Sequence, residues 1–270
     1  MAHAAPIVLL TDFGTTDGYP GVMKGVMLGI APDAAIVDLS HDVPAHDVFG
    51  AAWLLETAWR YFPAASIFVC VVDPGVGTAR RGVGMAASGR YFIGPDNGLF
   101  SYLLAADVVT SAVSLDRSAY HLPAASNTFH GRDVFAPVAA HLAAGIPLVD
   151  LGMPVAVGSL VRLPLSQPEW QADVLVGHVR HVDRFGNVIT DIGGELATAA
   201  LTSPDAFCQV GRQHITQRVR AFGEADASVP AMLRDSSGQL AICIREGSAA
   251  RVLGLERGDT ITIHGIQVHR

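Results

Sequence analysis

Short apolar stretches that each end on an acid or a histidine, separated by helical patterns, constrain this chain most. PIVLLTD ends on Asp12, AAIVDLSHD on His41 and Asp42, and SIFVCVVD on Asp73. Between them, GYPGVMKGVMLGIAP and DVFGAAWLLETAWRYFP carry helical spacing, and the second stops at Pro63. RYFIGPDNGLFSYLLA reads as strand, turn and helix. RDVFAPVAAHLAAGIP reads as a further helix closed by Gly145 and Pro147. Such alternation predicts an α/β unit with a mostly parallel sheet and helices on its faces. Ligands of these sheets sit beyond the carboxyl ends of the strands, where the acids fall. Gly21, Gly25 and Gly29 share one helix face, which is expected to pack closely on the sheet.

The pattern changes at RLPLSQPEWQAD, residues 162–173, which is polar and carries proline. The reading is an α/β domain over 1–165 and a smaller antiparallel β-barrel domain over 170–270. DVLVGHVRHVDRFGNVITDI reads as strand, tight turn and strand. AFCQVGRQHITQRV, GQLAICIRE and DTITIHGIQVH follow as strands without intervening helices.

Composition excludes several classes. Of 270 residues, 50% are apolar and only 16% charged, with a formal net charge of −7 and no basic block. Nucleic acid is therefore not an expected partner. No apolar run approaches the roughly 18 residues of a membrane span, and the opening MAHAAPIVLL lacks the basic start of a signal peptide. Cys70, Cys208 and Cys243 lie in apolar runs at no metal-like spacing, so they read as buried thiols of a cytoplasmic protein. There is no GxGxxG after a strand, no P-loop, no HExxH and no GxSxG.

Five clusters carry candidate chemistry, each with a plainer alternative. In TDFGTTDG, Asp12 could accept two protons of a ribose diol, or cap a loop; Asp17 follows it. In VVDPGVGTARRG, Asp73 and Arg80 can pair across a glycine loop, and the plainer reading is a surface turn. In TFHGRDVF, His130 could orient or deprotonate a water, while Asp133 reads as a helix cap. His141, inside the helix, reads as structural. In VDRFGNV, the turn is the favoured reading of Asp183 to Asn187, although an Asn amide can also read the edge of adenine. In RDSSGQL, Ser236 is either part of a polar turn or a group that captures a small anion. A metal set would have to be assembled from Asp12, Asp42, His130 and Asp133, and none is expected.

Taken in order, LLTDFGTTDGYPGVMKGVM, VVDPGVGTARRG, GPDNGLF, FHGRDVFAPVAAHLA, VDRFGNVITDI and SSGQLAI resemble the S-adenosyl-L-methionine hydroxide adenosyltransferases. These are adenosine-forming hydrolases related to the fluorinase and chlorinase that use the same substrate. The resemblance spans essentially the whole chain. It implies metal-free hydrolysis of S-adenosyl-L-methionine to adenosine and L-methionine, without a cofactor. It also implies a homotrimer with active sites between the first domain of one subunit and the second domain of the next. Carried over by motif, Asp73, Arg80 and His130 handle the water. Asp12 holds the ribose, Asp17 and Asp183 the methionine ammonium, Asn187 the adenine and Ser236 the methionine carboxylate. Halogenating relatives replace the loop acid, because a carboxylate at 73 would repel halide. His46 stands where they carry Trp, and Arg245 departs from the family pattern near the adenine. The competing readings are a halogenase, a protein that binds S-adenosyl-L-methionine or adenosine without turnover, and a metal-dependent hydrolase using Asp12, Asp42, His130 and Asp133.

Overall fold

All five residues of β1 (Ile7–Thr11) are buried, because side chains on its two faces enter two different cores. Ile7 and Leu9 join one cluster, Val8 and Leu10 the other, as the period of two in a strand requires. The computed structural model describes residues 5–123 and 125–266, and the chain divides into two units, Met1–Leu163 and Pro164–Arg270. The opening MAHA and residues 267–269 of the run DTITIHGIQVH lie outside the described residues.

In the first unit, β1 is followed by β2 (Ile36–Ser40), β3 (Ile67–Val71), β4 (Gly82–Ala87), β5 (Arg90–Pro95), β6 (Val109–Ser114) and β7 (Met153–Pro154). The sheet order is β2-β1-β3-β5-β4-β6-β7. The β1, β2, β3 and β5 strands run parallel, but β4, β6 and β7 pair antiparallel. The sheet is thus mixed rather than mostly parallel. The cause is local: Ser88 and Gly89 both take positive φ, 47° and 71°. That is the geometry of a two-residue hairpin turn, and it folds β5 straight back on β4.

The helices are α1 (Tyr19–Ile30), α2 (Val48–Ala58), α3 (Ser101–Ala105) and α4 (Ala136–Ala143). α1 and α4 cover one sheet face, where Met23, Met27, Phe135 and Ala139 join Ile7, Leu9, Ile67 and Val69. α2 and α3 cover the other, where Ala51, Leu55 and Leu103 join Phe68, Cys70 and Phe92. Burying each large side chain stabilises by roughly 1.5–3 kcal/mol. The buried face of α1 is Pro20, Met23 and Met27. Its glycines do not pack on the sheet: a Cβ at Gly21, Gly25 or Gly29 would meet nothing within 4 Å.

The second unit contains β8 (Glu169–Gln171), β9 (Val174–Val182), β10 (Val188–Gly193), α5 (Gly194–Thr202), β11 (Phe207–Val210), β12 (Gln213–Ile215), β13 (Gln217–Arg218), β14 (Ala231–Arg234), β15 (Gln239–Cys243), α6 (Ala249–Leu253) and β16 (Thr260–His264). The path β12-β11-β16-β9-β10-β15-β14-β13 is antiparallel except for β13 with β14, and β8 adds to β9. The ends of that path, β12 and β13, are separated only by Thr216, so the sheet nearly closes as a barrel. Two helices interrupt the strands. The buried residues of α5 are alanines, Ala197 and Ala200, which leave little apolar contrast. The short α6 is defined by its ends, with Ser248 accepting from Arg251 N and Gly254 in the left-handed conformation.

Candidate active site

The β3 strand ends at Val71, and two residues later Asp73 turns its carboxylate toward the loop Pro74–Ala79. Arg80 returns to it with a forked pair of bonds: Nε donates to Oδ1 at 2.9 Å, and one terminal nitrogen to Oδ2. The side chains retain only 5% and 11% of their exposure, so this pair is largely shielded from solvent. The Arg80 guanidinium also lies over the ring of Phe135, 5.3 Å from its centre. The terminal nitrogen that holds Asp73 donates as well to Nδ1 of His130, at 2.8 Å. A guanidinium can only donate, so Nδ1 accepts and the neutral ring carries its proton on Nε2. Burial lowers the pKa of His130 below 6.5, and Arg80 lowers it further, against the opposing pull of Asp73 and Asp133.

Arg81 faces away, as its neighbouring position dictates. It bonds Asp96 at 2.6 Å and the Ser159 carbonyl at 2.7 Å. The two arginines therefore serve different acids.

The glycine loop is shaped by a close approach. Gly77 has φ of +77°, and a Cβ there would stand 2.5 Å from the carbonyl oxygen of Asn127. This approach brings the loop carrying Arg80 against the segment that leads into His130. That segment is tied further by Asp133, whose carboxylate accepts from Ser126 N at 2.8 Å and from Arg132 at 2.6 Å. Burial raises the pKa of Asp133, but these donors outweigh it and the net shift is downward. Asp133 thus anchors the loop rather than capping its helix. After His130 the chain makes a π-helical turn, Gly131–Phe135, before α4 begins, a feature frequent at functional sites.

Asp73 and His130 line a cleft of about 290 Å³ with Asp12, Phe13, Tyr19, His46 and Phe129. Phe13, Tyr19 and Phe129 meet edge to face, with centres 5.1–5.8 Å apart. Asp12 follows β1, and its Oδ2 accepts from His46 N at 2.8 Å. Thr11 Oγ1 contacts His41 Nδ1 at 2.8 Å and accepts from Phe13 N, while Gly14 N donates to the His41 carbonyl. The loops after β1 and β2 are thus one bonded unit. His41 Nε2 lies 3.0 Å from Asp38 Oδ1, within ion-pair distance but off a hydrogen-bond line. Asp17 is exposed and is not part of the cleft lining. His141 packs its ring against Tyr120 at 5.2 Å.

In the second unit, Asn187 lines a cleft of about 560 Å³ with Phe185, Phe222, Ile244, Arg245, Glu246 and Gly247. Asp183 organises the turn between β9 and β10, accepting from Phe185 N, Asn187 N and Asn187 Nδ2 at 2.7–2.9 Å. Gly186 has φ of +83°, and a Cβ there would strike Ser248 Oγ at 2.1 Å. Ser236 is exposed in the turn between β14 and β15, which Asp235 organises by accepting from Ser237 N and Gln239 N.

The aromatic walls were missed at sequence level. Phe13, Tyr19 and Phe129 sit beside motif residues, so proximity to TDFG, DGYP and TFHG was a usable signal. Phe222 stands alone in the sequence and gives none. Among the described residues, no three His, Cys, Asp or Glu side chains gather as a possible metal set.

The match to known sequences decides the family. A model of the SAM hydroxide adenosyltransferase N-terminal domain matches residues 7–152, and one of the C-terminal domain matches 177–262. The chain belongs to the SAM hydroxide adenosyltransferase family. It is 42% identical to an (R)-S-adenosyl-L-methionine hydrolase of Thermus thermophilus, over 94% of this chain and 97% of the relative. A Salinispora tropica protein of the same name is 40% identical, covering 97% and 99%. A Nocardia brasiliensis fluorinase is 32% identical over 69% of this chain and 70% of its own length. A crystal structure of an uncharacterised conserved Thermotoga maritima protein superposes with a TM-score of 0.89, at 36% identity, covering 96% and 99%.

Proposed function

We propose that this chain hydrolyses S-adenosyl-L-methionine to adenosine and L-methionine, with water attacking C5′ in line with the departing sulfur. The observation that carries the proposal is the bonded set Asp73, Arg80 and His130 beside a cleft, in a chain of this family. The relatives' name specifies the (R) sulfonium epimer, and this chain is proposed to share that substrate.

The chemistry asks little beyond placement. A sulfonium leaves as a neutral thioether, so no acid is needed at the leaving group. Catalysis reduces to holding a desolvated water behind C5′. Asp73, held by the forked bonds of Arg80, accepts a hydrogen bond from that water and aims it. His130 takes part in removing the proton. A carboxylate at 73 also repels halide, which favours water over the chemistry of the fluorinase relatives.

The binding roles follow the same reading. Asp12 holds the ribose hydroxyls through the oxygen that His46 N leaves open. Asn187 reads adenine with its carbonyl and remaining amide proton, flanked by the exposed rings of Phe185 and Phe222, which suit base stacking. Asp17 and Asp183 hold the methionine ammonium. Asp183 spends three acceptor sites on its own turn, and a carboxylate offers about four. Ser236 and neighbouring backbone take the methionine carboxylate. No metal or cofactor enters the scheme. The active assembly is proposed as a homotrimer in which each site draws the first domain from one subunit and the second from the next.

No helix among the described residues is long and apolar enough to cross a membrane. The thiols Cys70, Cys208 and Cys243 are free and buried, in keeping with a reducing cytoplasm.

The deciding experiment incubates purified, chelator-treated protein with the substrate in chloride-free, heavy-oxygen water. Adenosine carrying heavy oxygen at the 5′ position, with methionine, is expected. Absence of adenosine, or its appearance only on adding metal, refutes the proposal.

A further inference from the structure

His130 lines two cavities. One is the cleft with Asp73, and the other, of about 450 Å³, lies among Arg80, Asp116, His121, Ser126 and Asn127. Asp73 and Asp12 line only the first, and His121 only the second. The His130 ring therefore stands in the wall between them. Its Nδ1 faces the guanidinium nitrogen that also holds Asp73, so Nε2, on the opposite ring edge, points away from that pair. Across the second cavity, Nε2 of His121 is buried and has no hydrogen-bond partner among the described residues. A buried, unpaired ring nitrogen is costly, and a polar cavity of this size has room for water to satisfy it.

We propose that the second cavity is the exit for the proton released in hydrolysis, with His121 as a positioning residue that receives it from His130. The inference rests on the hydrolase reading. Attack forms the C5′–O bond and breaks C5′–S, the electron pair going to sulfur, and one proton of the water must leave. His130 gains that proton at Nδ1 as the Arg80 N–H turns aside, and gives up the proton on Nε2. Water in the cavity carries it to Nε2 of His121, and from there to solvent. The charge balances, but His130 ends the transfer with its proton on Nδ1, and a half-turn of the ring presents the bare nitrogen to the Arg80 donor again before the next cycle.

The charges facing His121 suit a transient acceptor. Burial lowers its pKa below 6.5, His130 lowers it further, and Asp116 raises it. Arg80 and Arg81 line the same cavity, and Asp133 reaches the adjoining loop through Ser126. His121 is therefore neutral near pH 7 and passes a proton on rather than keeping it.

The test compares wild type, His121→Gln and His121→Ala in S-adenosyl-L-methionine cleavage, with rates measured across pH and in mixtures of light and heavy water. The variants are expected to lose roughly tenfold in kcat, the low side of a general acid–base contribution, with KM unchanged. The rate's dependence on heavy-water fraction, curved in wild type, becomes linear in the variants. Imidazole in the buffer restores His121→Ala and not His121→Gln. Variants with wild-type kcat and pH profile overturn the proposal. If both variants fail to fold, the wild-type heavy-water curve decides, and a linear one overturns it. Wild type that makes no adenosine at all defeats the hydrolase reading itself, a failure visible before any variant is made.

Discussion

The Arg80 guanidinium donates to Nδ1 of His130 at 2.8 Å through the same nitrogen that holds the Asp73 carboxylate. This bond exists only while His130 is neutral. Protonation would set an N–H against an N–H and push the imidazolium from the guanidinium. The pKa of His130 is already lowered, chiefly by burial and then by Arg80. The sign follows directly: the neutral form persists at pH 7 and is lost as pH falls through a value below 6.5. Turnover should therefore show an acid limb below pH 6.5, absent from His130→Gln, whose residual rate should be flat there. Stability moves the same way, since an unfolded chain binds the proton first as pH falls. A wild-type acid limb centred above 6.5 would contradict the assignment.

Asp73→Asn separates aiming from binding. The amide keeps the shape but cannot accept from the water with a full charge, and it loses the charged partner of Arg80. We expect a loss of roughly 10²–10³-fold in kcat, with KM for S-adenosyl-L-methionine within about threefold, since the role proposed for Asp73 is toward the attacking water rather than the substrate's polar groups. Steady-state kinetics check this, and an unchanged kcat would remove Asp73 from the chemistry.

Much of the first unit was legible because its signals are local. The runs ending at Asp12 and Asp73 contain the buried strands β1 and β3, and the run ending at Asp42 contains β2, a partly exposed edge strand; seven residues from Asp73 to Arg80 suffice for a loop that folds back. The antiparallel half of the sheet was not read, because Ser88-Gly89 is a two-residue signal set inside one apolar stretch. The glycine face of α1 misled for a different reason: small residues mark close approach, but not what approaches. In the second unit, alanine-rich α5 offered no amphipathic contrast. His121 was passed over since only the fold brings it to the cavity that His130 also lines. Asp183 shows the limit of motif reading, since much of its hydrogen bonding goes to its own turn.

Gly186→Ala tests that turn. The substitution meets both a left-handed φ of +83° and Ser248 Oγ, which a Cβ would approach to 2.1 Å. A cost of roughly 1–3 kcal/mol is expected from backbone strain and displacement of Ser248, read as a lowered Tm. Asn187 follows Gly186 directly and is held by Asp183. Adenosine affinity should therefore fall more than the rate of the bound complex. A variant with unchanged Tm and affinity would show that the turn tolerates a different path.

Asp12→Asn addresses the ribose. One carboxylate oxygen is spent on His46 N at 2.8 Å, and the Asn carbonyl can retain that bond, so the loop after β1 should keep its shape. Thr11, His41 and Gly14 hold that loop independently. What is lost is the charged acceptor left for a diol, since the second position becomes a donor facing hydroxyl protons. A hydrogen bond to a charged group contributes roughly 1.5–3 kcal/mol, so adenosine affinity should fall by about 10- to 100-fold with little change in Tm. Calorimetric titration with adenosine and with 2′-deoxyadenosine separates the diol from the rest of the site. Wild type should prefer adenosine, and Asp12→Asn should narrow the difference. Equal discrimination in both proteins would place the ribose elsewhere and leave Asp12 as a loop anchor for His46 alone.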